Sequence, residues 1–412
     1  MQDGEKIFDF ILFLEKLSIN KRWTKTDSFL IKESISDHSF RVLLIVFVMY
    51  RKLKPNIDLL KTLKIALVHD IIEGVVGDTD YNSVYLGLVS KEEKAEKELE
   101  AIQKIRESLP EKIGNEIFFL WMDYEKAITK EAKFVKALEK TESILHTIYY
   151  GDSYINIVDK FATYCDNAMK ECSELHPYYA EVKRKLKEVC QSGGLDWKDS
   201  YDMEETMEDF EKIFTFFQLA QKLKETERYG ASPEVKEKST VAEHTFRLVF
   251  IVFLVKEFFE VDIDLLKAFN IAIFHDIAET LTEEIDCVLI YKGIVSKEEK
   301  SKNELVAMQK IREMLPHEIG DEIFSLWEEY EKGETKEAQI VKAFDKFEGI
   351  SHLLYYGYEN FDEPDIIATH CDTHFKKVPE LLPLLKILKT RLKEEYKKWG
   401  KDWKREYDEV FL

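Results

Sequence analysis

The chain is written twice. Residues 90–121 read SKEEKAEKELEAIQKIRESLPEKIGNEIFFLW and residues 296–327 read SKEEKSKNELVAMQKIREMLPHEIGDEIFSLW, an offset of 206 in a chain of 412. The same offset carries Trp121 to Trp327, Cys165 to Cys371 and Asp196-Trp197-Lys198 to Asp402-Trp403-Lys404, and it takes Met1 to Met207. A register without a visible gap over this length is a tandem duplication of one domain-sized unit, not a solenoid of short repeats. The expected boundary falls in the polar stretch MEETM, with one domain over 1–205 and a second over 206–412. No Gly/Ser-rich linker separates the copies. They are therefore expected to pack against each other as an intramolecular pseudo-dimer, which is compatible with a monomeric chain.

Each unit reads as helical. Gly 15 and Pro 8 are roughly half the usual share of the two turn formers. Apolar residues recur at helical spacing over 5–17, 38–53, 58–74, 91–108, 112–127, 129–150 and 178–191, and over their partners 206 residues on. Ser34-Ile-Ser-Asp37 and Thr240-Val-Ala-Glu243 fit capping boxes, a hydroxyl followed three residues later by an acid. The expected fold class is all-α, two tandem helical bundles.

The charge balance is 60 basic against 80 acidic residues, a net −20. Such a chain repels a phosphate backbone at long range, so nucleic acid is not an expected partner. A small phosphorylated ligand stays compatible, because a local cation reverses the field. Five cysteines without a CxxC pair read as reduced thiols. The first residues, MQDGEKIFDFILFLEKL, carry acids where a signal peptide carries bases. Apolar runs such as FRVLLIVFVMY stop short of membrane-spanning length. A cytoplasmic chain with no membrane partner is the expectation.

Ten histidines can be checked against the duplication. His38/His244, His69/His275 and His146/His352 pair across the copies, whereas His176, His317, His370 and His374 do not. His69-Asp70 and His275-Asp276 each follow an apolar helical run. Adjacent side chains diverge by roughly 100° on a helix, yet both can reach one ion beyond its end. Imidazole nitrogen and carboxylate oxygen suit a divalent metal, and ligation would relieve the cost of a buried aspartate. A mutual hydrogen bond would relieve it as well, and the dipeptide alone does not choose.

The dipeptide has company: SISDHSFRV and TVAEHTFRL precede it, and VKALEKTE with Glu139 and VKAFDKFE with Asp345 follow. On this H…HD…D pattern, with Glu in place of the last Asp in copy one, each unit resembles the HD-domain metal-dependent phosphohydrolases, and within them the 5′-deoxynucleotidase group. The resemblance implies one divalent ion per unit (Mn, Co, Fe, Zn or Mg). His38, His69, Asp70 and Glu139 would hold the first, and His244, His275, Asp276 and Asp345 the second. It implies that the ion activates a water and neutralises phosphoryl oxygens while an in-line attack releases phosphate. It implies acid/base work for Glu73 and Glu279, four residues after their histidines, and a substrate-side role for Asp78 and its partner Glu284. It further places Arg22-Trp23 and Arg228-Tyr229 against a nucleotide, an Arg for phosphate and a ring for sugar or base. From pattern alone the same residues read as surface or paired side chains. Lys140 and Lys346 are expected to pair with a ligand carboxylate, and His146 and His352 to be satisfied core histidines. The implied substrate is a deoxynucleoside 5′-monophosphate. A nucleoside di- or triphosphate hydrolase, or a non-catalytic nucleotide sensor with one degenerate copy, stays open, motivated by Glu139 and by Glu283-Glu284 where copy one has Gly77-Asp78.

Overall fold

A computed structural model of the chain describes residues 2–22, 33–77, 90–151, 155 and 158–412. In the first copy the principal helices are α1 (Gln2–Phe13), α2 (Glu15–Ile19), α3 (Ile35–Leu53), α4 (Leu59–Val68), α5 (Lys91–Ser108), α6 (Glu111–Lys126), α7 (Lys130–Tyr150) and α8 (His176–Ser192). In the second they are α9 (Phe210–Ala220), α10 (Val241–Phe259), α11 (Leu265–Phe274), α12 (Lys297–Met314), α13 (His317–Lys332), α14 (Lys336–Tyr356) and α15 (Leu382–Lys398). The described residues hold no named strand, only the paired bridges Lys21–Ser34 and Glu227–Thr240. None of their helices is long and apolar enough to cross a membrane.

Both predicted capping boxes are formed, Ser34 with Asp37 and Thr240 with Glu243. They start α3 and α10, each apolar almost all round. Every residue from Ile35 to Met49 is buried, as is every residue from Val241 to Val255. A helix without a polar face must be covered on all sides. α3 is covered by α4 and α7 of its own copy and by α10 of the other. The copies thus share a core at α3 and α10. α1 crosses over to lie on α10, α14 and α15. Phe8 meets Phe347 at a ring separation of 6.0 Å, and Phe47 meets Phe274 at 4.8 Å. In each copy α6 approaches α5, and α13 approaches α12, closely enough to require glycine. A Cβ on Gly114 or Gly320 would lie 2.3 Å from the carbonyl oxygen of Arg106 or Arg312.

Two expected helices are divided: 5–17, which breaks at Leu14 between α1 and α2, and 58–74. In the latter α4 ends at Val68, residues 69–72 form turns, and Glu73–Val76 is a separate short helix. The cause is the histidine. Its Nδ1–H donates to the Ala66 carbonyl at 2.7 Å, and His275 does the same to Ala272 at 2.8 Å. The imidazole thereby occupies the carbonyl at which the α-helical ladder would continue. The amides beyond bond three residues back instead, Ile71 to Val68 and Glu73 to Asp70.

Candidate metal centres

Each copy brings the first turn of one helix, the end of a second and the middle of a third to one point. His38 Nε2 lies 3.8 Å from Asp70 Oδ2 and 3.9 Å from Glu139 Oε1, and His69 Nε2 lies 3.2 Å from Asp70 Oδ2. In the second copy His244 Nε2 is 3.9 Å from Asp276 Oδ2 and 3.3 Å from Asp345 Oδ1, and His275 Nε2 is 3.0 Å from Asp276 Oδ2. In either copy one donor atom from each of the two histidines and the HD aspartate falls within 4.8 Å of the others.

The opposite ring nitrogens explain which atoms face inward. A carbonyl only accepts, so Nδ1 of His69 and His275 must carry the proton, which leaves Nε2 of the neutral ring with a lone pair. Nδ1 of His38 faces the buried Glu142 carboxylate at 2.6 Å, and His244 is held likewise by Glu348. All four Nε2 atoms are buried without a hydrogen-bond partner. A buried nitrogen left so is costly. Four such nitrogens, each aimed at carboxylates, are a donor set that fits a divalent ion.

The surrounding charges respond to this crowding. Burial disfavours a charged His69 or His275 ring, but the adjacent Asp70 or Asp276 outweighs it and raises both. Burial would raise Asp70 and Asp276, yet their histidines hold both well below the ordinary carboxylate range. Burial lifts the Tyr124 and Tyr330 hydroxyls, with Glu139 and Asp345 adding to it. Both tyrosines therefore stay donors, Tyr124 to Glu139 at 3.4 Å and Tyr330 to Asp345 at 2.6 Å. Glu279 is buried, raised first by that burial and then by Asp276 and Glu284. Its counterpart Glu73 is half-buried on the short helix against α5.

The Arg residues enter the sites from the side. Arg22 contacts Glu33 at 2.8 Å, Glu142 at 3.7 Å and Glu139 at 4.0 Å. Arg228 contacts Glu348 at 3.1 Å and Glu284 at 3.8 Å. Tyr229, at a positive φ of 63°, donates to the Gly349 carbonyl at 3.2 Å and stacks flat on His352. Trp23 and Asp78 lie outside the described residues. Lys346 pairs with Asp345 at 2.8 Å as expected, whereas Lys140 sits over the Tyr164 ring at 4.3 Å. In the second copy Arg228, Tyr229, Asp276, Glu279, Glu284 and Asp345 all open on one cavity of about 330 Å³.

The family model described as HD domain matches residues 14–176 and again 220–381. The chain belongs to the HD-domain family. It is 39% identical over 120 residues to the 5′-deoxynucleotidase HDDC2 of Mus musculus, covering 29% of this chain and 57% of the mouse protein. It is 40% identical over 123 residues to the 5′-deoxynucleotidase hdd1 of Schizosaccharomyces pombe, covering 29% of this chain and 58% of that one. The match thus spans little more than half the length of these relatives. Among solved structures, a protein of Magnetospirillum magnetotacticum described as a predicted metal-dependent phosphohydrolase is 20% identical, with a TM-score of 0.40 over 47% of this chain and 96% of its own.

Two groups around these HD-domain sites escape sequence reasoning. Glu142 and Glu348 hold the first histidine of each site, and Arg247 Nε bonds Glu348 at 2.6 Å. Their signal was available, since both acids lie in the expected helix 129–150 and its partner and pair across the copies. His370 and His374 line the second cavity, beside Lys346 and Asp345. Burial, with Lys346 adding to it, drives their imidazoles down to about 3 and about 4. Tyr164 and Ala168 stand at the matching positions of copy one, so pairing across copies passes over them.

Proposed function

We propose that this chain is a metal-dependent phosphohydrolase that releases phosphate from nucleotides, deoxynucleoside 5′-monophosphates foremost, with a site in each of two domains, 1–205 and 206–412. The observation that carries it is the set of four buried, partnerless Nε2 atoms facing carboxylates. His38, His69, Asp70 and Glu139 would hold one divalent ion, and His244, His275, Asp276 and Asp345 another. Bound there, a divalent ion lowers the pKa of a water and offsets phosphoryl charge.

The chain's own groups supply the rest. Glu142 and Glu348 keep the first histidine oriented with its lone pair inward. Glu279, whose carboxyl is pushed up by burial and by neighbouring carboxylates, is placed for acid/base work on a leaving ester oxygen, and Glu73 is its counterpart in copy one. Arg228, with Lys300 and Lys346 on the cavity wall, is placed to grip phosphate, and Tyr229 to pack against sugar or base. The substrate class is supported by the names of the relatives, 5′-deoxynucleotidases in mouse and fission yeast.

Phosphate release from ribo- and deoxynucleoside mono-, di- and triphosphates, with Mn, Co or Mg, tests the reading. Metal analysis should find two ions per wild-type chain, one in His69→Ala, one in His275→Ala and none in the double variant. One ion per wild-type chain, lost with only one of the two substitutions, would leave a single working site. No turnover with metal present would point to a nucleotide sensor.

A further inference from the structure

The supports of each site are drawn partly from the other copy. Around His38, the buried Glu33 meets Arg22 at 2.8 Å and His146 at 3.2 Å, and its third partner is Lys224 of the second copy. Lys224 also lies 3.0 Å from His146 Nδ1, with Gln221 at 3.3 Å. Around His244 the traffic runs the other way. Glu15 of the first copy contacts Arg247 at 3.1 Å and His352 at 3.2 Å, and Ser18 accepts from Arg247 at 2.6 Å. The two capping boxes are joined as well, Thr240 donating to Asp37 at 2.7 Å and Lys21 meeting Glu243 at 3.3 Å.

The 206-residue offset makes these contacts comparable position by position. Glu15 matches Gln221, Ser18 matches Lys224, and Glu33 matches Ser239. His146/His352, Arg41/Arg247 and Glu142/Glu348 are unchanged. The variable positions have diverged together. Where the first copy gained or kept the Glu33 carboxylate, the second supplies a lysine. Where the second has Ser239, the first supplies an uncharged Ser18 and places its acid, Glu15, on Arg247 instead. Pairing the first copy with itself would set Glu15 beside Glu33 with no lysine to offset either. Pairing the second with itself would set Lys224 beside Arg247 with no Glu33. Like charges buried side by side are strongly disfavoured.

We infer that the two copies are non-interchangeable partners, each completing the support of the other's site, with Lys224 a positioning residue for the first site and Glu15 for the second. Lys224 acts through Glu33, which bridges His146 and Arg22 and lies 3.9 Å from His38. Glu15 acts through Arg247, which grips the Glu348 carboxylate behind His244.

The test is made in the full-length chain, with Mn titrated into each site separately by using His275→Ala to silence the second and His69→Ala the first. This readout rests on the metal-site reading above. Lys224→Ser should weaken Mn binding at the first site by about tenfold or more and leave the second unchanged. Glu33→Ser combined with Lys224→Ser, which installs the second site's own residue pair, should recover most of the loss. Glu15→Gln should weaken only the second site. Thermal melting of the metal-free chain gives an independent cycle, in which Lys224→Ser should lower Tm and the double variant should restore it. If wild type binds no Mn at all, the metal reading fails and the Tm cycle alone decides the inference. Loss at the same copy's site, equal loss at both sites, or additive losses without rescue would overturn it.

Discussion

The two candidate centres share a framework and differ in one arm. His38 and His69 are placed like His244 and His275, their rings 5.4 Å apart in both copies. The fourth group differs. Asp345 sits 3.3 Å from His244 and is gripped by Tyr330 at 2.6 Å and Lys346 at 2.8 Å. Glu139, one methylene longer, stands 3.9 Å from His38, with Tyr124 at 3.4 Å. Its side chain is also the more open, 12% exposed against 6%. A duplication that holds the helices fixed can vary ligand length only within the space between them. Here the shorter carboxylate is the better anchored one.

That comparison can be broken by experiment. The largest expected effect is removal of the arm. Asp345→Ala should cost its site more metal affinity than Glu139→Ala costs the other, each beyond the roughly 10–100-fold typical of outer residues, as read by calorimetric titration. Equal losses would mean that the closer anchoring has no consequence. Exchanging the arms comes next. Asp345→Glu should weaken the second site by about tenfold because Tyr330 and Lys346 are set for the shorter acid, whereas Glu139→Asp should shift the first by less. Tyr330→Phe should lower metal affinity or phosphate release by a few fold, about 1 kcal/mol, and Tyr124→Phe by less, following their hydrogen-bond lengths. The smallest effect concerns pH. Burial drives the His146 imidazole down to about 4, with Glu33 opposing and Lys224 adding to it. A histidine with a depressed pKa contributes stability that is present above about 6.5 and is lost as pH falls toward 4. His146→Gln should therefore flatten the decline of Tm across that window, and an unchanged slope would refute the assignment.

Much of this was legible in the sequence. The ungapped offset fixed attention on three histidine pairs, and two of them, with Asp70, Glu139 and their partners, converge as the HD pattern implies. Capping chemistry located the starts of α3 and α10, because hydroxyl-acid spacing is a local signal. The end of α4 was not legible, since the imidazole's bond to Ala66 looks, in sequence, like one more helical residue. His146 and His352 are buried, and at Nδ1 they meet Lys224 and Glu15, which lie in the opposite copy. Apolar periodicity reports that a face is covered and carries no record of which polar atoms cover it. His370 and His374 show the converse, since comparing copies finds what they share and is blind to what one of them acquired.

The ending of α4 and α11 at the histidine-aspartate pair carries one more consequence. Peptide dipoles in a helix add up to about half a negative charge at its C-terminal end, and both helices deliver that end to the ligand cluster. The opposite, positive ends of α3 and α10 also lie nearby, but Asp37 and Glu243 cap them with carboxylates. The carbonyl ends of α4 and α11 thus set a negative potential before the imidazoles that comes from the backbone and not from a titrating group. It favours a cation by roughly 0.3–2 kcal/mol before any carboxylate is counted. A site that had lost its longer arm would still lean toward positive charge, because that preference is built into the direction of the backbone.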